Sequence, residues 1–410
     1  MLSPDTPGHR YEPSHRPDPV VGYNGAPTGV FEPIGHFTRS YEVWRPRFEA
    51  KYAALGGEAS FLGKATTDLV ARPENGGAWL QSFEHGALCG DVPLGGVFEI
   101  HGAIYVKWVE VGGTSYGWPI TDESAGPGSG RYNHFTGPAE IYWAPDTGAH
   151  VVYGAIRGRW FELGDAGSQL GYPTTDEMDN VDNASTGRRD RCQRFQGGYI
   201  SWNTDTGAHL HANGTVSTLA VAHLNIHSIR SRHRDTNVIG FLARVPGQPD
   251  ATGHEGLGDF GVGDFDINKN VQFVADDPTA PLNVSWLLVN HGDGDTQELD
   301  DKLHSTLKDV ADKGATAIGT TIGAAIGGAV GGVIGAGVGA LLGYLAGLGL
   351  EAVFADCDGV VAGDTVFVSA ATWNDAVANG PMVVKKTYPG LNSPGGCGDN
   401  SSYEVTWTLS

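Results

Sequence analysis

Sulfur and positive charge are both scarce in this chain. Four cysteines and three methionines serve 410 residues, and 26 lysines and arginines stand against 47 aspartates and glutamates, a formal net charge of −21. With no basic excess to displace counterions from phosphates, nucleic acid is excluded as an electrostatic partner, and an anionic membrane surface offers no attraction. The cysteines lack the CxxC or Cys/His spacing of a zinc site. Four of them allow three pairings, among them Cys89 with Cys192 and Cys357 with Cys397; free buried thiols are the alternative. Met1 to Arg10 has no basic segment followed by an apolar run, so no secretory leader is read there. A nucleophile elbow, a paired catalytic motif and a phosphate loop are missing too, so no enzymatic activity is expected. What the chain has in quantity is glycine, 62 residues, together with ten tryptophans, a composition that points to a turn-rich, mainly β protein. Its length is enough for at least two cores.

The first half is periodic. Phe61-Leu-Gly-Lys-Ala-Thr-Thr-Asp68, Tyr116-Gly-Trp-Pro-Ile-Thr-Asp-Glu123 and Leu170-Gly-Tyr-Pro-Thr-Thr-Asp-Glu177 align on Gly63, Gly117 and Gly171, which recur every 54 residues. A fixed period of this size marks an array of equivalent supersecondary units. Tyr52, Trp108 and Trp160 keep step ahead of Leu55-Gly56, Val111-Gly112 and Leu163-Gly164, and Phe83, Phe135 and Phe195 keep step behind. Two copies close with Asp146-Thr-Gly-Ala-His150 and Asp205-Thr-Gly-Ala-His209. Ile141-Tyr-Trp and Val151 to Ile156, separated by Pro145-Asp-Thr-Gly, predict a β-hairpin. The threonine of the Thr-Asp-Glu step is expected to cap a short helical turn. A hairpin this small cannot bury its face alone, so successive units must stack, radially or linearly.

The period, the Leu-Gly-Tyr-Pro-Thr-Thr-Asp-Glu motif and the Gly-Ala-His that follows the hairpin resemble the LGFP repeat, from about Ala50 to Thr215. That family is associated with actinobacterial cell envelopes, often appended to wall-active enzymes that it is thought to anchor. The resemblance implies a propeller-like array of small blades and a cell-wall polysaccharide or glycan as partner. The first copy departs from the pattern, with Lys64-Ala65 in place of aromatic-Pro and Leu69 in place of Glu, as a capping unit would. Recurrent surface-type residues are the candidate ligand contacts: Asp122, Glu123, Tyr142, Trp143, His150, Asp176, Glu177, Trp202 and His209. Aromatic faces beside carboxylates and histidines suit sugars. The plainer alternative is that the aromatics are core and the acids hold turn amides.

Periodicity stops after Asn213-Gly214. Residues 1–214 are therefore read as the repeat domain, with a Pro-rich segment at 1–33, and 215–410 as a second domain. There Val216 to Ile226, Val238 to Val245, Val271 to Ala275, Leu282 to Asn290, Thr365 to Ala371, Met382 to Lys386 and Tyr403 to Leu409 alternate or run apolar as strands do, which predicts an antiparallel β-sandwich. A helical insertion at 296–353 interrupts it. Asp295-Thr-Gln-Glu298 has capping-box spacing, and Leu299, Leu303, Leu307 and Val310 form the stripe of an amphipathic helix. Beyond it, Gly319, Gly323, Gly327, Gly331, Gly335, Gly339, Gly343 and Gly347 recur every four residues in an uncharged stretch, the spacing of a glycine zipper that packs helix against helix. The stretch is too long for one membrane span of about 20 residues, so two antiparallel arms of about 17 residues are expected. They would insert in a membrane, pack as buried core, or join two copies of the chain. Asp259, Asp264, Asp266, Asn268, Asp293 and Asp295 are candidate calcium ligands without EF-hand spacing; solvated turn acids are the alternative, and no other cofactor is expected. Four Asn-x-Ser/Thr sequons, at Asn183, Asn213, Asn283 and Asn400, are compatible with export.

The expectation is a non-enzymatic, secreted or surface protein that binds a glycan through its repeats and carries a membrane-active or self-associating hairpin, as a toxin or effector would. The alternatives are a wall-associated structural or adhesion protein whose hairpin is only core, and a hydrolase.

Overall fold

The computed structural model describes residues 41–72, 78–91, 95–137, 139–180, 189–229, 235–291, 296–317, 338–340, 359–388 and 401–410. From Tyr41 the described residues form one unit built three times. Helix α1 (Tyr41–Leu55) leads into β1 (Val70–Arg72), β2 (Ala78–Ser82), β3 (Gly86–Asp91) and β4 (Gly96–His101). Helix α2 (Gly102–Glu110) leads into β5 (Ser124–Ala125), β6 (Arg131–His134), β7 (Ala139–Ala144) and β8 (Gly148–Tyr153). Helix α3 (Gly154–Glu162) leads into β9 (Met178–Asp179), β10 (Arg191–Phe195), β11 (Gly198–Asn203) and β12 (Gly207–Ala212). Each set of four strands is an antiparallel sheet in chain order.

The helices follow from apolar pairs one turn apart, Phe48 and Tyr52, Ile104 and Trp108, Ile156 and Trp160, which share a helical face. Each helix stops just before a glycine in the left-handed region, Gly56, Gly112 and Gly164, at φ +108°, +117° and +102°, where a side chain would be strained. The run Val151 to Ile156 is thus strand only to Tyr153, and helical from Gly154.

The sheets are stacked in series. Trp44 and Phe48 of α1 pack with Trp79 and Leu88 of the first sheet. The other face of that sheet, with Leu80, Ala87, Cys89 and Ile100, shares a core with Ile104 and Trp108 of α2 and with Ile141 and Val151 of the second sheet. In the same way Tyr142, Ala144 and Val152 share a core with Ile156 and Trp160 of α3 and with Ile200 of the third sheet. Helices α2 and α3 are therefore each wedged between the sheet before and the sheet after. No closed barrel is present among the described residues.

From Val216 on, two antiparallel sheets enclose one core. The remaining strands are β13 (Val216–Ser228), β14 (Asp235–Arg244), β15 (Ala251–Phe260), β16 (Gly263–Val274), β17 (Pro281–His291), β18 (Val338–Ala340), β19 (Gly359–Ser369), β20 (Met382–Tyr388) and β21 (Ser402–Leu409). One sheet runs β16-β13-β21-β20 and the other β15-β14-β17-β19-β18. Helix α4 (Thr296–Ala317) is the expected amphipathic one: Leu299, Leu303, Leu307 and Val310 are buried. It lies on β14 at Gly240, where an added Cβ would come within 2.8 Å of Leu303 Cγ. A short helix, α5 (Ala370–Val377), capped by the Ser369 hydroxyl accepting from the Thr372 amide at 3.2 Å, occupies the end of the run read as a strand.

Of the eight ladder glycines, seven lie outside the described residues. Gly339 sits in β18, paired with Thr365 of β19, so the backbone there is extended instead of helical; β18 takes up ladder hydrogen bonds on that side of the buried β19. Among the described residues no helix is long and apolar enough to cross a membrane. Cys89 and Cys192 are both buried and free, so the pairing between them is not made: each sits in a different sheet. Burial pushes both thiols up, Cys192 to about 12. Cys357 and Cys397 lie outside the described residues.

The close approach of α1 to the first sheet gives a direct test. A Cβ on Gly90 would fall 2.7 Å from Trp44 Cζ3 and 2.8 Å from Phe48 Cε2. Gly90→Val should therefore cost about 1–3 kcal/mol by overpacking, read as a lowered urea midpoint at unchanged slope.

Candidate functional site at the repeat junctions

The motif residues converge where one repeat meets the next. Thr67, Thr121 and Thr175 each accept through Oγ1 from a backbone amide of their own sheet, Ser82 at 3.0 Å, His134 at 3.1 Å and Arg194 at 3.1 Å. The threonine thus caps a strand and not a helical turn. The aromatic of the Gly-aromatic-Pro step reaches backwards. Trp118 is buried in the core shared with the first sheet, and the Tyr172 hydroxyl donates to Pro127 O at 2.8 Å, where Gly126 and Gly130 leave room for its ring. Lys64 holds this position in the first copy and is exposed, as expected of a unit with no described repeat in front of it.

The acids are fasteners. Asp122 accepts from the Glu99 amide at 3.0 Å and pairs with Lys51 of α1; Asp176 accepts from the Val151 amide at 3.0 Å and from Lys107 of α2 at 3.0 Å. In both junctions a helix lysine and a strand amide of one repeat hold the aspartate of the next. Glu123 and Glu177 each meet an arginine of their own sheet, Arg131 at 3.6 Å and Arg191 at 2.6 Å. Asn133 and Gln193 complete the joint. Asn133 Nδ2 donates to Glu99 O at 3.1 Å and Thr121 O at 3.0 Å, and Gln193 Nε2 to Val151 O at 2.7 Å and Thr175 O at 2.8 Å. Asn133, Gln193, Lys51 and Lys107 carry no motif signature in the sequence, although the lysines stand at equivalent helix positions, five residues before Gly56 and Gly112.

Electrostatics follow from these contacts. Burial opposes the charge on Asp176, but His150 at 3.3 Å, the Val151 amide and Lys107 outweigh it and hold its carboxyl down at about 2. Burial lifts Glu177 above the usual carboxylate range despite Arg191, and lifts Glu123 despite His101 and Arg131. The first junction carries an extra titrating group. His101 hydrogen-bonds Glu99 Oε2 at 2.7 Å and faces Glu123 Oε1 at 3.6 Å, under the ring of Phe61 with centroids 4.0 Å apart. Burial opposes protonation of His101, and the two glutamates overcome it, so its pKa is raised. Tyr153 fills the equivalent place at the second junction and hydrogen-bonds Glu177.

The other expected contacts are placed as follows. Tyr142 is buried, stacked on Tyr132 with centroids 5.1 Å apart. Trp143 and Trp202 are half-buried at the rims of the second and third cores. His150 and His209 each meet the carbonyl of their hairpin threonine, Thr147 at 2.9 Å and Thr206 at 3.0 Å. Strand alternation puts Trp143 on the face of its sheet opposite His150, and Trp202 opposite His209, so the structure joins His150 to Asp176 and parts both from Trp143. In the other half, Asp264 and Asp266 lie on either side of the His223 ring, at 3.3 Å from Nε2 and 2.9 Å from Nδ1, and Asp259 accepts from Thr236. Asn268 sits at a bulge with φ +47°. Asp293 and Asp295 lie outside the described residues, and among those described no group of three or more His, Cys, Asp or Glu is arranged to hold a metal ion.

A helix-plus-sheet unit, stacked in series and pinned by motif acids, defines a repeat protein. Two of its repeats match the LGFP repeat: the family model of that name covers residues 117–168, from the second motif through α3, and 170–217, from the third motif through the third sheet. A search of curated proteins finds no match to the chain.

Two acid–base tests follow. Asp176, lowered in the folded state, contributes stability above pH 3.8 that is lost as pH falls to about 2; the stability gap between wild type and Asp176→Asn should close over that range in urea melts. His101 is raised, so its contribution is complete below its ordinary 6.5 and lost as pH rises through the folded value. His101→Tyr, which copies the second junction, should fold and abolish that loss.

Proposed function

We propose that the chain is a non-enzymatic, secreted or surface protein that docks on a cell envelope through its LGFP repeats, with wall polysaccharide as the ligand. The LGFP match carries this reading. The array would be an open, propeller-like arc whose rim presents Trp143 and Trp202 as sugar platforms; their equivalent, half-exposed placement supports that role, and the buried Tyr142 plays none. Asp122, Glu123, Asp176 and Glu177 would act indirectly, by holding the rims in register. The glycine-rich segment would be the membrane-active or self-associating part, as in an effector.

A second reading, a wall-associated structural protein whose glycine-rich segment is only core, is favoured by two observations. Helix α4 buries its leucines on the sheet, and Val338–Ala340 pairs with β19.

Co-sedimentation with purified actinobacterial cell walls tests the docking. The full chain should be retained, with Trp143→Ala/Trp202→Ala weakening retention about tenfold, the loss of two aromatic contacts of about 0.5–1.5 kcal/mol each. No retention of the wild type would overturn the proposal. Dye-loaded vesicles separate the two readings of the glycine-rich segment: leakage at acid or neutral pH supports insertion, and none at either pH supports the core reading.

A further inference from the structure

The third sheet differs from the first two on the face turned away from its own helix. Cys89 and Ile100 line that face in the first sheet, and Tyr142 and Val152 in the second. Both meet an incoming helix that brings an isoleucine and a tryptophan. The equivalent positions of the third sheet are Ser201 and His211, flanked by Tyr199 and Asn203, and all four are at most 9% exposed. What covers them is α5, carrying Asn374 and Asp375.

The fit is polar and paired. Ser201 donates to Asp375 Oδ1, Asn203 Nδ2 donates to Asp375 Oδ2 at 3.1 Å, and Asn374 Nδ2 donates to the Tyr199 hydroxyl. Since the single Ser201 hydroxyl hydrogen goes to Asp375, its 2.7 Å bond to His211 is donated by Nε2. Asn180, next to β9, adds bonds to Thr372 at 3.0 Å and from Ser369 at 2.8 Å.

We infer that Tyr199, Ser201, Asn203 and His211 form a terminal docking face that marks the third repeat as the last of the array and selects one occupant, the helix Ala370–Val377 of the same chain. A repeat-type helix bringing Ile and Trp would leave the hydroxyl, amide and imidazole buried without partners. In turn, α5 on the apolar face of either earlier sheet would strand Asp375 as an unpaired buried charge. Each mismatch is penalised, so the choice is made by polar complementarity as much as by attraction. The consequence is that repeats and two-sheet half move as one body.

The test uses the full chain. Wild type should unfold in one calorimetric transition. Asp375→Leu should resolve two, and amides of β10–β12 should exchange about tenfold faster while those of β2–β8 keep their protection. Asn203→Ala removes a bond to the same carboxylate from the repeat side and should accelerate the same amides; it serves alone if Asp375→Leu does not fold. Unchanged exchange in β10–β12 overturns the inference, and so does an equal acceleration across all strands.

Discussion

A four-stranded sheet with strands of six residues or fewer has two faces to bury, and one short helix can cover only one of them. Everything in the first half of this protein answers to that constraint. The helices that start the second and third repeats are shared, each covering the back of one sheet and the front of the next. The motif aromatic enters the preceding repeat, Trp118 into the core of the first sheet and Tyr172 between Gly126 and Gly130 of the second. Its aspartate is held from behind by a lysine and an amide. In the first copy the aromatic, the aspartate and the glutamate become exposed Lys64, exposed Asp68 and buried Leu69, the changes expected where no described repeat precedes.

The second half solves the same problem by size. Long strands close two sheets on a common core, and α4 covers an outer face. This lets it hold a carboxylate almost without solvent: Asp364 is 1% exposed, accepts from the Tyr388 hydroxyl at 2.8 Å and lies 3.4 Å from Lys386 Nζ. Burial outweighs both partners and pushes its pKa up to about 6. A raised carboxyl binds its proton more tightly folded than unfolded, so its contribution grows as pH falls through about 6 toward 3.8. Asp176 acts with the opposite sign at lower pH. The two halves therefore answer acid differently, although they are joined.

The period and the motif were legible because stacking repeats the same demands every 54 residues. So were most of the long strands, where alternation reports burial on one face. The short helices of the repeats were hidden, since α2 and α3 each bury only an isoleucine and a tryptophan in nine residues, and tryptophans read equally well as strand aromatics. Strand β15 was missed for a different reason. Ala251–Phe260 is largely exposed and holds three glycines, so its pairing with β14 is set by the neighbouring strand and not by its own pattern. As for the candidate site, Asp122 and Asp176 were visible as recurrent acids. Their partners Lys51 and Lys107 come from the preceding unit and could not be found by reading one motif at a time.

Shared helices also give the array a direction. At its front, α1 turns Trp44 and Phe48 to the first sheet and mostly exposed polar residues to the outside; at its back, α5 covers the third sheet. Stacked repeats with bare ends would grow by adding molecules end to end, as open solenoids and unpaired sheet edges do. Here, among the described residues, no repeat face is left bare at either end: α1 closes the first sheet and α5 the third, so neither end of the described stack offers a template for a further repeat.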